Sequence, residues 1–354
     1  MSGTVLLAGF KVGCSVQVTL QQVADEAGVS PSTVSRVLNN TRLPISEKTK
    51  NRVRRIAMEL GYQPNPAARA LVTGRSYTIV LWTSNLRSTF YSNVIYFGDE
   101  KARSLGYEMI VSSVPPVNDD GRVNAPKILT IAADGIIAVD LPRGTLPELS
   151  NSLLNGTPLV HVGGNAFGKS DSVHIDFKSQ AADAVYHLAN VGCKRIAYLV
   201  PDWFEWFEET RDARLEGYKL AIAGLGRRPE WIKTANETRP KVQPTLVQHI
   251  DRHGPPDGLF CYNDDMAIAA CRTLKEIGLR IPEDVAVVGC DGTEEASYCI
   301  PQISTIVPPI EQMCDQAIEL LAKRIEDPIR PIQQVVLEGK LDIRGSSLRP
   351  QHEI

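Results

Sequence analysis

From residue 76 onward, short apolar runs alternate with longer stretches of helical periodicity, and few folds accommodate that pattern. The runs 78–82, 108–112, 135–139, 158–162, 195–200, 258–262 and 285–289 are nearly continuous in apolar residues and too short for helices, as strands buried on both faces of a parallel sheet must be. Between or beyond them, 181–191, 214–224, 266–277 and 310–324 are long enough for helices. Parallel strands cannot be joined by tight turns and need helical crossovers. The pattern therefore predicts an α/β body with parallel sheets and βαβ connections. A chain of 354 residues allows two or three such units at roughly 150 residues each.

The first 75 residues follow a different rule. Leu20, Val23, Ala24 and Ala27 fall at i, i+3, i+4 and i+7, one buried stripe of a short helix with Thr19 as N-cap and Gly28 as its stop. Ser30 caps a second helix, Pro31 suits its first position, and Val34, Val37 and Leu38 form its inward face. Two short helices joined through a glycine turn make a helix-turn-helix. Its outer surface displays Ser32, Thr33, Ser35, Arg36 and Asn39, all able to hydrogen-bond DNA. An arginine there can fork onto a guanine edge, and Ser or Thr near a helix N-terminus suits phosphate. A third helix capped by Ser46 places Val53, Ile56, Ala57 and Leu60 inward and Lys48, Lys50, Arg52, Arg54 and Arg55 outward. Residues 63–75 form a linker in which Asn65 and Pro66 start a helix of about two turns, too short to be stable alone.

Charge supports the division. Residues 18–75 hold nine Lys/Arg against four Asp/Glu, although the whole chain carries −3. A basic head on an acidic body is suited to a polyanion at one end. Residues 1–17 are expected to be a disordered tail: the apolar stretch 5–10 is short, lacks preceding basic residues and is interrupted by Lys11, so a secretory leader is not expected. No apolar run reaches the roughly 18 to 20 residues of a membrane span. The seven cysteines are scattered, with no C-x-x-C pair or Cys/His cluster, which points to reduced thiols in a cytoplasm and to no metal.

The strings Val18-Thr19-Leu20, Val23-Ala24, Ala27-Gly28-Val29-Ser30 and Thr33-Val34-Ser35-Arg36-Val37-Leu38-Asn39, then Gly61-Tyr62, Pro64-Asn65 and Ala68-Arg69-x-Leu71, resemble the head and hinge of the lac and galactose repressor family. The resemblance implies that Pro31, Ser32 and Arg36 face base edges, and that Thr19, Ser30, Thr33, Ser35 and Asn39 lie near phosphates. It also implies a hinge carrying Asn65 and Ala68, in which Leu71 wedges into the minor groove. Many relatives carry a larger or polar residue at Pro31, which leaves base reading there to Ser32 and Arg36. The implied organisation is a tail at 1–17, a head at 18–62, a hinge at 63–75 and a periplasmic-binding-protein-like body at 76–354. Within that body, lobe 1 is 77–175 with 307–339 and lobe 2 is 176–306 with 340–354, joined by three crossovers with the ligand between them.

In the body, Asn263-Asp264-Asp265 follows a strand and opens a helix, and Asp291 follows another strand in the same way. Open α/β sheets bind ligands at such edges, and Asn263 serves as both cap and ligand contact. The resemblance adds Arg214, whose planar donor fork suits hydroxyls or a carboxylate. Trp206 lies in the aromatic loop 202–207, which either stacks on a ligand or covers the core, and Phe90 and Tyr91 are further candidates. Gly163-Gly164 stands where many relatives place an aspartate, so one ligand acceptor is missing there. No phosphate-binding glycine loop, nucleophile elbow or histidine cluster is present, so neither enzyme activity nor a cofactor is expected. The expectation is a transcription regulator, most simply a repressor, binding operator DNA as a homodimer under control of a sugar-like effector. No heptad tail follows residue 343 to build a tetramer. A solute-binding module without gene regulation is the alternative.

Overall fold

The computed structural model describes residues 18–38, 44–63, 70, 74–83, 85–113, 133–141, 156–163, 170–201, 212–235 and 238–349. The chain divides into two units, Met1–Ser76 and Tyr77–Ile354.

The first unit is all helical. Helix α1 (Leu20–Ala27) opens with a capping box in which Thr19 Oγ1 accepts from Gln22 N and Gln22 Oε1 accepts from Thr19 N, satisfying two otherwise orphaned donors. Gly28, in the left-handed region at φ 59°, ends it. Helix α2 (Pro31–Leu38) and α3 (Glu47–Glu59, capped by Ser46) close the bundle. Val23, Ala24, Ala27, Val34, Val37, Val53, Ile56 and Ala57 form one core. Leu60, expected on the inner stripe of α3, is the C-cap and is 38% exposed. The chain turns at Gly61, and Tyr62 packs on the core in its place.

The second unit holds two six-stranded sheets. In the first sheet, β1 (Thr78–Thr83), β2 (Glu108–Ser113), β3 (Gly135–Val139), β4 (Leu159–Gly163) and β5 (Asp171–Ile175) are joined at the edge by a late strand, β11 (Gln334–Leu337), in the order β11-β5-β4-β3-β1-β2. Every pairing in it is parallel. Helix α4 (Thr89–Ser104) packs on this sheet together with α10 (Ile310–Glu326).

The second sheet runs β12-β10-β9-β8-β6-β7, from β6 (Ile196–Pro201), β7 (Trp231–Thr234), β8 (Gly258–Cys261), β9 (Ala286–Cys290), β10 (Ser304–Val307) and β12 (Lys340–Asp342). Its one departure from the expected parallel pattern is β12, antiparallel to β10. Helices α5 (Phe177–Asn190), α6 (Ala213–Gly224), α7 (Arg239–His253) and α8 (Asp264–Glu276) cover it, and a short α9 (Glu294–Tyr298) follows β9. The chain passes between sheets three times: after β5, after β10 and after β11. Among the described residues no helix is long and apolar enough to cross a membrane.

The inner strands β1, β3, β4, β5, β6, β8, β9 and β10 are buried because both faces are covered, and a fully buried Leu or Ile contributes about 1.5 to 3 kcal/mol. Helices α5 and α6 approach closely at Gly217, where an added Cβ would meet the Lys178 carbonyl oxygen at 2.2 Å and the Ala181 Cβ at 2.9 Å. That backbone cannot yield cheaply. Gly217→Ala is therefore expected to destabilise the body by about 1 to 3 kcal/mol in urea unfolding, and an unchanged midpoint would contradict this packing.

Candidate functional site

In the head, burial of Val34 and Val37 turns the opposite side of α2 outward. Ser32 and Arg36 are exposed one helical turn apart, while Pro31, Thr33 and Ser35 are half-buried. Ser30 Oγ accepts from Thr33 N at 3.2 Å and lies 2.8 Å from Ser32 Oγ and 2.9 Å from Thr33 Oγ1. This cluster of hydroxyls at the start of α2 suits contact with phosphate. Thr19 serves its own capping box beside it. On α3, Lys48, Arg52, Arg54 and Arg55 are exposed; Lys50 is half-buried and bridges to Glu47 at 2.6 Å, and Arg55 bridges to Glu59 at 2.8 Å. Asn39, Asn65, Ala68 and Leu71, expected to touch DNA, and Trp206, expected in the effector site, lie outside the described residues.

In the body, Arg214 is the second residue of α6, whose N-cap Asp212 accepts from Leu215 N at 3.1 Å. Its guanidinium lies 4.0 Å from the centre of the Tyr262 ring and 4.8 Å from that of Phe177, an arrangement that favours a desolvated cation. Nη2 donates to Tyr262 Oη at 2.8 Å and stands 3.7 Å from Asp212 Oδ2, while Nη1 stands 4.0 Å from Asp291 Oδ1. The side chain is 13% exposed. Burial works against its charge, but Tyr262, Asp212, Cys290 and Tyr198 together outweigh it and hold the group protonated. Its Nε is buried without an acceptor, a deficit of about 1 to 3 kcal/mol.

Asp291 directly follows β9 at φ +122°, outside the region that side chains favour. Such strain, of order 1 to 3 kcal/mol, persists where surrounding structure enforces it and concentrates at ligand sites. Here the Asp291 amide donates to the Ile306 carbonyl at 2.9 Å and Gly292 N donates to Thr305 Oγ1 at 3.2 Å, and these bonds pin the backbone at that turn. Asn263 caps α8 by accepting from Met266 N at 2.9 Å through Oδ1, which leaves its Nδ2 donors for other partners.

Beneath them Asp264 is fully buried. It accepts from Thr305 Oγ1 at 2.6 Å and from Thr293 N at 2.7 Å, tying α8 to β10 and to the turn after Asp291. Asp265 is engaged elsewhere: Arg239 Nε donates to it at 2.8 Å, so its carboxylate serves an ion pair with α7.

In the first lobe Phe90 is 4% exposed, so its ring is part of the core backing the site. Tyr91 meets it edge to face, with ring centres 5.1 Å apart. Tyr91 Oη stands 3.5 Å from Asp140 Oδ2. Thr89 Oγ1, beside them, donates to Glu295 Oε1 of α9 at 2.7 Å, a direct bond between the two lobes. Sequence reasoning did not single out Tyr262 and Phe177, which lie against Arg214, or Asp140, which lies beside Tyr91. Tyr262 directly precedes the Asn263 cap and Asp140 directly follows a recognised strand, and those positions are the signals that point to them.

Residues 19–65 match the family described as "Bacterial regulatory proteins, lacI family", and residues 185–347 match the "Periplasmic binding protein-like domain". Over 337 residues the chain is 30% identical to the HTH-type transcriptional repressor CytR of Escherichia coli (strain K12), covering 93% of this chain and 96% of that one. Its fold is similar to that of the lac repressor dimer bound to operator and the anti-inducer ONPF, with TM-score 0.79, 24% identity, and coverage of 94% and 100%. It is also similar to the transcriptional regulator CelR in complex with cellobiose, with TM-score 0.65, 27% identity, and coverage of 93% and 100%.

Buried titratable groups near the site act on stability in opposite senses. Burial raises Asp264 from its ordinary 3.8 to about 7; the folded state then binds the proton more tightly, so its contribution is lost as pH rises from 3.8 to about 7. Burial, with His174 nearby, pushes His161 in β4 down to about 3, so its contribution grows as pH rises from about 3 to 6.5. The Asp264 part is isolated by Asp264→Asn. In urea unfolding across that range, wild type should lose stability relative to the variant as pH rises, and parallel curves would contradict the assignment.

Proposed function

The chain belongs to the lacI family of bacterial regulatory proteins and is a DNA-binding transcription regulator with a small-molecule effector, not an enzyme; from that premise we propose how its residues carry out the task. It is a repressor that acts in the cytoplasm, on the nucleoid, as a homodimer placing two heads in successive major grooves of a near-palindromic operator. The observation that carries this reading is the outward pair Ser32 and Arg36 on a helix whose other face is locked in a core. Arg36 reads a guanine edge, Ser32 an adjacent base, and Thr19, Ser30, Thr33, Ser35 and Asn39 hold phosphates. Pro31 contributes the start of α2 and apolar contact. The hinge bearing Asn65 and Ala68 enters the minor groove, where Leu71 opens a base step. A solute receptor, which the body alone would permit, leaves the basic head without a role.

Exposed apolar side chains support the dimer. Tyr298 and Ile300 are 79% and 84% exposed, and Lys275 hydrogen-bonds the Ile300 carbonyl, which brings exposed Ile277 near the same surface. The effector sits between the lobes on Arg214, Tyr262, Asn263 and Asp291, with Tyr91 and Trp206 completing the site, and a sugar or related polyol suits these groups. Arg214 stacks on Phe177, just after the first crossing between sheets, so a ligand that rearranges Arg214 acts directly on that crossing. Coupling to operator affinity of about 1 to 3 kcal/mol is typical of such switches.

Arg36→Ala tests base reading. It should weaken operator binding by about 1 to 3 kcal/mol and relax base choice at one position in each half-site, whereas Lys48→Ala should weaken all duplexes alike. Both are measured by binding-site selection followed by titration. An Arg36→Ala protein with unchanged base preference would contradict the assignment.

A further inference from the structure

The end of β3 carries a second backbone irregularity that is matched to its neighbour. Asp140 follows the last residue of β3 and takes φ +43°, a left-handed conformation that Asp and Asn tolerate better than most residues. Its amide still donates to the Val162 carbonyl of β4 at 2.9 Å, so the strand pairing survives while the side chain swings sideways over β4. There it meets Gly163, itself at φ +144°. A Cβ on residue 163 would lie 1.9 Å from Asp140 Oδ1 and 2.8 Å from Cγ. The carboxylate thus occupies the space that a side chain at 163 would take.

This geometry stands at the C-terminal edge of a parallel sheet, where such sheets bind ligands. The lobes are bonded close by: Tyr91, whose hydroxyl is 3.5 Å from Asp140 Oδ2, lies two residues past Thr89, which donates to Glu295 of the second lobe, and Glu295 lies four residues past Asp291. Asp140 is half-buried and so retains access to solvent.

We propose that Asp140, with the Tyr91 hydroxyl beside it, is the first lobe's ligand acceptor and takes adjacent hydroxyl groups of a neutral polyol. The inference rests on the reading that the effector lies between the lobes. A carboxylate accepts two hydroxyl donors at once, and the phenol both donates and accepts. Asp140 on one lobe and Asp291 on the other repel a phosphate or carboxylate ligand, whereas a sugar or ribonucleoside offers hydroxyls to both acids and ether or hydroxyl oxygens to Arg214.

The test is calorimetric titration of the full chain with D-ribose, cellobiose, adenosine and cytidine as probes. Wild type should bind at least one of them, and Asp140→Asn, which keeps the left-handed backbone accessible, should weaken that binding about tenfold or more. Tyr91→Phe removes only the hydroxyl and should weaken it to a lesser degree; it carries the test if thermal unfolding shows that Asp140→Asn is misfolded. Wild-type affinity in both variants, alongside lost binding in Arg214→Ala, overturns the role of Asp140 and leaves the inter-lobe reading intact. Failure of wild type to bind any probe overturns the polyol assignment together with the sugar-like effector.

Discussion

The regulatory role depends first on two valines. Val34 and Val37 sit on one side of an eight-residue helix and are sealed against Val23, Ala24, Val53 and Ile56. A helix that short has little stability of its own, so this packing both forms it and fixes its rotation. With the rotation fixed, Ser32 and Arg36 have only the outside to occupy. Caps complete the constraint: Thr19, Ser30 and Ser46 each satisfy a helix N-terminus, which uses local hydrogen bonds for orientation and leaves exposed Arg36 and Lys48 for the polyanion.

The body solves a different problem, keeping polar groups ready within a dry interior. Arg214 is held by two rings and by carboxylates at 3.7 and 4.0 Å, near enough to stabilise its charge yet too distant to saturate its donors. Asp264 does the converse: its carboxylate is consumed by Thr293 and Thr305 and so acts as a strut under the strained backbone of Asp291. In the proposed function Arg214 is the group that meets the ligand, and Asp264 holds the platform. Phe177 touches Arg214 and begins the helix after the first crossing between sheets, so on the proposed function one side chain joins the ligand site to the lobe geometry.

Local physics was legible in the sequence and tertiary partnership was not. The head could be read from stripe spacing and caps because both are set within a few residues; Leu60 was misplaced because a helix end depends on the turn beyond it. Strands such as 135–139 showed as apolar runs because both of their faces are covered. β5 escaped because Asp171, Ser172 and His174 are polar although buried, and α7 because Pro240 and Pro244 interrupt its pattern. Asn263 and Asp291 were read as candidate ligand contacts from their position after strands. Asp265 was read with them, but its partner Arg239 lies 26 residues away. Asp140 was invisible because its reach over Gly163 is set by a left-handed φ, which no spacing reveals.

Regulation by this chain requires a basic helical head that distinguishes one duplex from another, and the most direct measurement is selection of random duplexes by the purified chain at low salt. One pair of near-palindromic half-sites should be enriched, with affinity that falls steeply as salt rises. Recovery of no preferred sequence, with or without added sugars and nucleosides, would contradict it.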